Sequence, residues 1–154
     1  MIYLAGDTHG SLDLQKVEDF FSVERRIREL SKEDYLIILW DTGICWDDGS
    51  HDRWVRKRLQ ALPVTILWID GNHENFNLLE EYPVIEWKGG MVHLIATDIL
   101  HLMRGYCYEI EGHHFWVFGG GNSIDKIYRI PRVSWWPQEM PNEEEYVNYQ
   151  KKII

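Results

Sequence analysis

Cysteine is scarce in this 154-residue chain: Cys45 and Cys107 are the only two, far apart and in no metal-type spacing. That excludes a disulfide framework and a zinc ribbon, and two buried thiols are expected. Long apolar runs are missing as well. No stretch approaches 18 consecutive apolar residues, and the opening "MIYLAGD" has no basic segment followed by a long apolar one. No membrane helix or secretory leader is read, so a soluble, cytoplasmic protein without membrane contact is expected. The third shortage is positive charge. Sixteen Lys and Arg stand against 25 Asp and Glu, a formal net charge of −9, which opposes attraction to a phosphate backbone and disfavours non-specific nucleic-acid binding.

What remains is rich in core material. Apolar residues make up 45% of the chain, enough for one sizeable core at this length. The aromatic share of 14%, with eight Trp and eight Tyr, is high enough to place some rings at a cleft or contact surface.

Three short runs, "IYLA" at 2–5, "YLIILW" at 35–40 and "VTILWI" at 64–69, are continuously apolar. They suit strands covered on both faces. Between them Leu14, Val17, Phe20, Phe21, Ile27 and Leu30 recur at helical steps, with Ser11 placed as a cap, and a second helix is expected over about 51–61. Strand, helix, strand, helix, strand implies right-handed crossovers and a parallel sheet. After Pro83 the pattern turns to short strand-like pieces, "MVHLI", "ILHLMR", "YCYEIEG" and "HFWVFGG", with a hairpin at "EIEGHHFWVF". Residues 119–141 read as loop. Asn142 and three glutamates then open a last helix that closes at Lys151 and Lys152.

Polar clusters close all three apolar runs: "GDTHG" at 6–10, "WDTG" at 40–43 and "DGNHE" at 70–74. The C-terminal edge of an open parallel sheet is where ligands bind. Neighbouring strands lie about 4.8 Å apart, so adjacent ends would gather Asp7, His9, Asp41, Asn72 and His73 in one small volume. Carboxylates with imidazole suit a divalent transition metal. D-x-H alone is a weak signal; its company at two further strand ends strengthens it. For Asn72, His73 and Glu74 the plain alternative is a helix start, with Asn72 as cap.

These motifs, in this order after successive strands, resemble the calcineurin-like metallophosphoesterases, whose members carry GD-x-H, then GD, then GNH[ED]. "VSWWPQEMPNEEEY" also resembles the loop and helix after the central hairpin of small bacterial members. The resemblance implies an α/β fold, a metallophosphoesterase-type βαβαβ sheet layered with a second, incomplete mixed sheet. It implies hydrolysis of a phosphomonoester or phosphodiester, or of a nucleotide substrate, by metal-activated water. Asp7 and His9 would hold a first metal, Asp41 would bridge, Asn72 would hold a second, and His73, the catalytic residue, would protonate the leaving oxygen or steady the phosphate. One or two divalent ions, Mn, Fe or Zn, are implied.

Two departures stand out. Trp40 occupies the place of a glycine, and its ring would either stack on a substrate base or fill the cleft. Family members also continue to a strand ending in His and a G-H-x-H segment, whereas "GHHF" at 112–115 sits in the hairpin and lacks His at the fourth position. A single, truncated domain over 1–154 with a partial metal site is therefore expected. The alternative is a catalytically degenerate fold acting as a protein-binding or inhibitor module, with self-association into a homo-oligomer or a protein partner covering an exposed sheet edge. His93 and His101 are expected as satisfied sheet or surface histidines, and Arg53, Arg56, Lys57 and Arg58 as a solvated basic face.

Overall fold

The computed structural model describes residues 1–151. The helix exit expected at Lys152, Ile153 and Ile154 lies outside them. Strands β1 (Ile2–Ala5), β2 (Tyr35–Leu39) and β3 (Thr65–Ile69) pair in parallel and in register, Ala5 beside Ile38 and Ile38 beside Trp68. Their crossovers are α1 (Leu14–Ile27) and α2 (Ser50–Gln60). After the short α3 (Phe76–Leu79) come β4 (Val84–Trp87), β5 (Gly90–Ala96) and β6 (Ile99–Leu102), which extend this sheet in the order β1-β2-β3-β6-β5-β4. Strand β6 is parallel to β3, whereas β5 and β4 are antiparallel additions. The second sheet is the hairpin of β7 (Cys107–Ile110) and β8 (His113–Trp116). Glu111 and Gly112 at its turn both have positive φ, 53° and 75°, as a two-residue hairpin loop demands. The α4 helix (Glu143–Lys151) ends the described chain.

The unbroken apolar runs are explained by burial on two sides. Leu36, Ile38, Ile66 and Trp68 face Leu14 and Phe21 of α1 and Val55 and Leu59 of α2. The alternate residues Tyr35, Ile37 and Leu67 face Tyr108, Ile110 and Val117 of the second layer. That layer is a two-stranded antiparallel sheet among the described residues, because the strands from Val84 to Leu102 join the first sheet instead. Its cover is incomplete. Leu4 sits beside Ile37 on the same face yet is 63% exposed, while Ile37 is buried.

Several local expectations are corrected. Asp13, not Ser11, precedes the first turn of α1, and Ser11 Oγ instead meets His51 Nε2 at 3.2 Å. The basic face of α2 is not wholly solvated: Arg56 is buried against Tyr82 Oη and Asp48, and Arg58 pairs with Glu18. Cys45 is buried, but Cys107 is only half-buried. Asn142 does cap α4: its Oδ1 accepts from Glu145 N at 3.0 Å, and Glu145 Oε2 accepts from Asn142 N at 2.7 Å, a capping box.

His93 and His101 are sheet residues, as expected, and are buried in a polar chain. His101 Nε2 lies 3.0 Å from Asp70 Oδ1, and its Nδ1 lies 2.9 Å from His93 Nδ1. Asp70 accepts on Nε2, so that nitrogen carries the proton and the His93 Nδ1–H is left to donate to His101. Arg104 Nε donates to Asp70 Oδ2 at 2.7 Å. Burial raises the Asp70 carboxyl, but His101 and Arg104 outweigh it and hold it below its ordinary value. Burial, with His101 beside it, pushes His93 from 6.5 down to about 4.

The depressed His93 value means the folded chain resists a proton that the unfolded chain accepts. Its stabilising contribution is therefore whole above about pH 6.5 and lost as pH falls toward 4. Between about pH 7 and 4.5 the wild type should lose about 2 kcal/mol more than His93→Gln, which keeps a donor toward His101. Urea denaturation at both pH values measures it; equal losses would mean His93 is not held neutral.

Candidate metal centre

Each motif begins where its strand ends, and the three strands are neighbours. The loops then lock together through backbone: His9 N donates to Asp41 O at 2.9 Å, Gly10 N to Thr42 O at 2.9 Å, and Trp40 N to Ile69 O at 3.0 Å. A Cβ on Gly43, where φ is +70°, would lie 2.3 Å from Gly10 N. Only glycine allows two backbones to approach so closely. His9, Trp40 and Asp41 also have positive φ, 44°, 67° and 28°. Strain of this kind in non-glycine residues concentrates at functional sites.

Asp7, His9 and Asp41 each bring one ligand atom to a cluster in which all lie within 4.8 Å of one another. Asp7 and His9 are exposed and Asp41 is buried, so the cluster opens to solvent from a fixed floor. Asp7 Oδ2 is 3.7 Å from His9 Nε2. Asp41 Oδ1 accepts from His73 N at 2.9 Å, which ties the second and third motifs. The His73 and His9 rings stand edge to face, with centroids 6.0 Å apart.

Asn72 is oriented from behind. Ser123 Oγ donates to Glu139 Oε2 at 2.6 Å and therefore accepts from Asn72 Nδ2 at 2.9 Å. With the amide nitrogen engaged, Oδ1 is the atom left to act as a ligand. Glu139, fully buried, also accepts from Ser123 N at 2.9 Å and pairs with Lys126 at 2.7 Å. Burial raises the Glu139 carboxyl, but Lys126 and Ser123 outweigh it and lower it overall. Glu74, also fully buried, accepts from Thr42 N at 3.0 Å and braces the Asp41 loop. Burial, with Asp41, Asp70 and Asp52 nearby, pushes its carboxyl well above the ordinary value, so desolvation works against the charged form of this brace. The helix-cap alternative fails at Asn72: the cap of α3 is Asn75, whose side chain accepts from Leu78 N at 3.2 Å.

Sequence reasoning missed Ser123, Glu139 and one further residue. Arg129 Nη2 lies 3.1 Å from Nε2 and 3.3 Å from Nδ1 of His73. Nothing in the "IDKIYRIP" run marks it, because its role depends on how the loop returns. The run at Gly119 to Asn122 is likewise tied down, with Gly120 N donating to Asp70 O at 2.9 Å and Gly121 N to Glu139 O at 3.0 Å. A recess of about 500 Å³ lined by Asp70, His93, His101 and Arg104 opens elsewhere, and none of Asp7, His9, Asp41 or His73 borders it.

A family model described as calcineurin-like phosphoesterase matches residues 1–152, nearly the whole chain. The chain belongs to that family, whose members act on phosphate esters and generally use divalent metals. No curated protein and no solved structure matches the chain. Among the described residues no helix is long and apolar enough to cross a membrane. Two carboxylates and an imidazole, Asp7, Asp41 and His9, make an oxygen and nitrogen donor set that fits such an ion.

Gly71 is the most sensitive position behind this cluster. An added Cβ would fall 2.0 Å from Asp41 Oδ1 and 2.7 Å from Asp41 N. Gly71→Ala should therefore displace the Asp41 carboxylate and lower affinity for Mn²⁺ by about tenfold or more. Calorimetric titration of Mn²⁺ checks this; unchanged affinity would show that Asp41 is not a ligand.

Proposed function

We propose that the protein is a metal-dependent hydrolase of phosphate esters. Asp7, His9 and Asp41 would hold the ion, Asn72 Oδ1 would serve a second position, and His73 would act as general acid. The gathering of three ligand atoms within 4.8 Å carries this reading. Mn, Fe or Zn suits the donors, and such an ion supplies a Lewis acid for a phosphoryl oxygen and activates water at neutral pH.

The chain's own groups do the positioning. Asp41 is buried and pinned by the His73 amide, which leaves its carboxylate little freedom to reorganise. His73 stands across from His9 and is half-buried, so a ring nitrogen could pass a proton to a leaving oxygen at the mouth. The openness of Asp7 and His9 admits a substrate larger than phosphate itself.

A second reading, a binding module without turnover, draws on the exposed Leu4 on the partly covered face of the main sheet and on Ile124, Ile127 and Tyr128, 97%, 82% and 86% exposed. Turnover separates the two. With Mn²⁺ present, hydrolysis of bis(p-nitrophenyl) phosphate or p-nitrophenyl phosphate should fall roughly 10²- to 10⁴-fold in His73→Ala while the bound metal stays. Asp41→Asn should lose the metal itself. Hydrolysis indifferent to both substitutions and to a chelator sinks the catalytic reading. A wild type that holds metal yet turns over neither substrate favours the second.

A further inference from the structure

Arg129 sits on the loop after β8, between the short 3-10 helix Lys126–Tyr128 and the turn at Arg132. Its guanidinium is held at two of its three nitrogens. Nε donates to Asp125 Oδ2 at 2.8 Å and Nη1 to Ser134 O at 3.1 Å. Ser134 is held in turn, its amide donating to Ile130 O and its Oγ accepting from Ile130 N, both at 2.9 Å. The start of the loop is anchored to Asn72 through Ser123. A side chain only 15% exposed is thus braced at both ends, and Nη2 is the group it presents toward the centre.

What Nη2 meets there is not a good acceptor. It is nearly equidistant from the two ring nitrogens of His73, 3.1 and 3.3 Å. A donor on the lone pair of one imidazole nitrogen lies in the ring plane, well away from the other nitrogen. Equal distances therefore place Nη2 over the face of the ring, a stacked contact of the kind guanidinium favours. Among the described residues both N–H groups of Nη2 then lack an in-plane acceptor, and no other donor meets the ring nitrogens of His73. The chemistry that satisfies every one of these groups is a tetrahedral oxyanion, which takes paired N–H donors from arginine.

We infer that Arg129 is a phosphate-binding residue of this site, donating from Nη2 to a phosphoryl oxygen of the substrate while Asp125 and Ser134 hold the guanidinium in place. This rests on the phosphoesterase reading and adds a residue to it. In the free protein the stacked position keeps Arg129 ready. On binding, Nη2 exchanges a ring face for a charged oxygen, so the residue acts on anion affinity and on the charge that develops during transfer.

The test is the binding of inorganic phosphate and of tungstate to Mn²⁺-loaded protein by calorimetry, with bound metal and melting temperature measured in parallel. Arg129→Gln should keep the wild-type metal content and weaken phosphate at least about tenfold. Arg129→Lys should fall between the two, because a point charge replaces the fork. Asp125→Asn should weaken phosphate by a few-fold by loosening the guanidinium. If Arg129→Gln does not fold, Arg129→Lys still reads the loss of the fork. Phosphate affinity unmoved by the arginine substitutions, or no phosphate binding by the wild type, overturns the inference. Turnover lost in His73→Ala beside unaltered phosphate binding in Arg129→Gln would overturn this inference alone. A wild type that takes up no Mn²⁺ would instead sink the phosphoesterase reading, and the same phosphate comparison on metal-free protein would still report on Arg129.

Discussion

The in-register parallel pairing of β1, β2 and β3 is the constraint on which the centre depends. Shifting one strand by a residue would turn its apolar side chains to the opposite layer and carry its polar end out of reach of the others. Burial of both faces forbids that shift: Ile38, Ile66, Leu67 and Trp68 have no exposed surface, and each such side chain is worth about 1.5–3 kcal/mol. The left-handed backbone at His9, Trp40 and Asp41 costs roughly 1–2 kcal/mol per residue. A few buried side chains of the sheet therefore offset the strain in the backbone that carries the Asp7, His9 and Asp41 cluster.

Behind the ligands stands a layer of buried carboxylates used for different ends. Glu139 keeps a negative charge because Lys126 and Ser123 face it, and it passes orientation through Ser123 to the Asn72 amide. Glu74 meets a backbone amide from Thr42, with other carboxylates nearby, and its carboxyl is raised well above the ordinary value. Asp70 is charged because His101 and Arg104 meet it. Three buried acidic side chains, two of them inside the third motif, are thus given different roles by the balance of burial against the partners each one meets.

The sheet and the five ligand and acid candidates were legible because both depend on local pattern. A continuous apolar run followed by a polar cluster marks a buried strand and its ligand edge, and Asp7, His9, Asp41, Asn72 and His73 all carry that mark. The parallel direction of the three strands followed from the crossovers between them. The partition of the later strands did not, because "MVHLI" and "ILHLMR" have the same texture whether they extend the first sheet or build the second. Asn142 could be read as a cap from the glutamates after it, whereas Ser11 could not be excluded as one, since only the fold brings His51 to it. The most consequential omissions, Ser123, Arg129 and Glu139, lie in a segment without periodicity. Their positions come from the return of the chain against the third motif, a long-range property that short spacing does not encode.

Trp40 joins the two levels. A glycine at this place would take φ of 67° without strain, and the tryptophan takes it because Trp40 N is committed to Ile69 O and Asp41 must follow directly. Of the two roles the sequence allowed for its ring, filling the cleft requires burial, and the residue is 51% exposed. Next in sequence to Asp41 and half-exposed, the residue keeps aromatic surface in solvent, where it can act only on what approaches from outside.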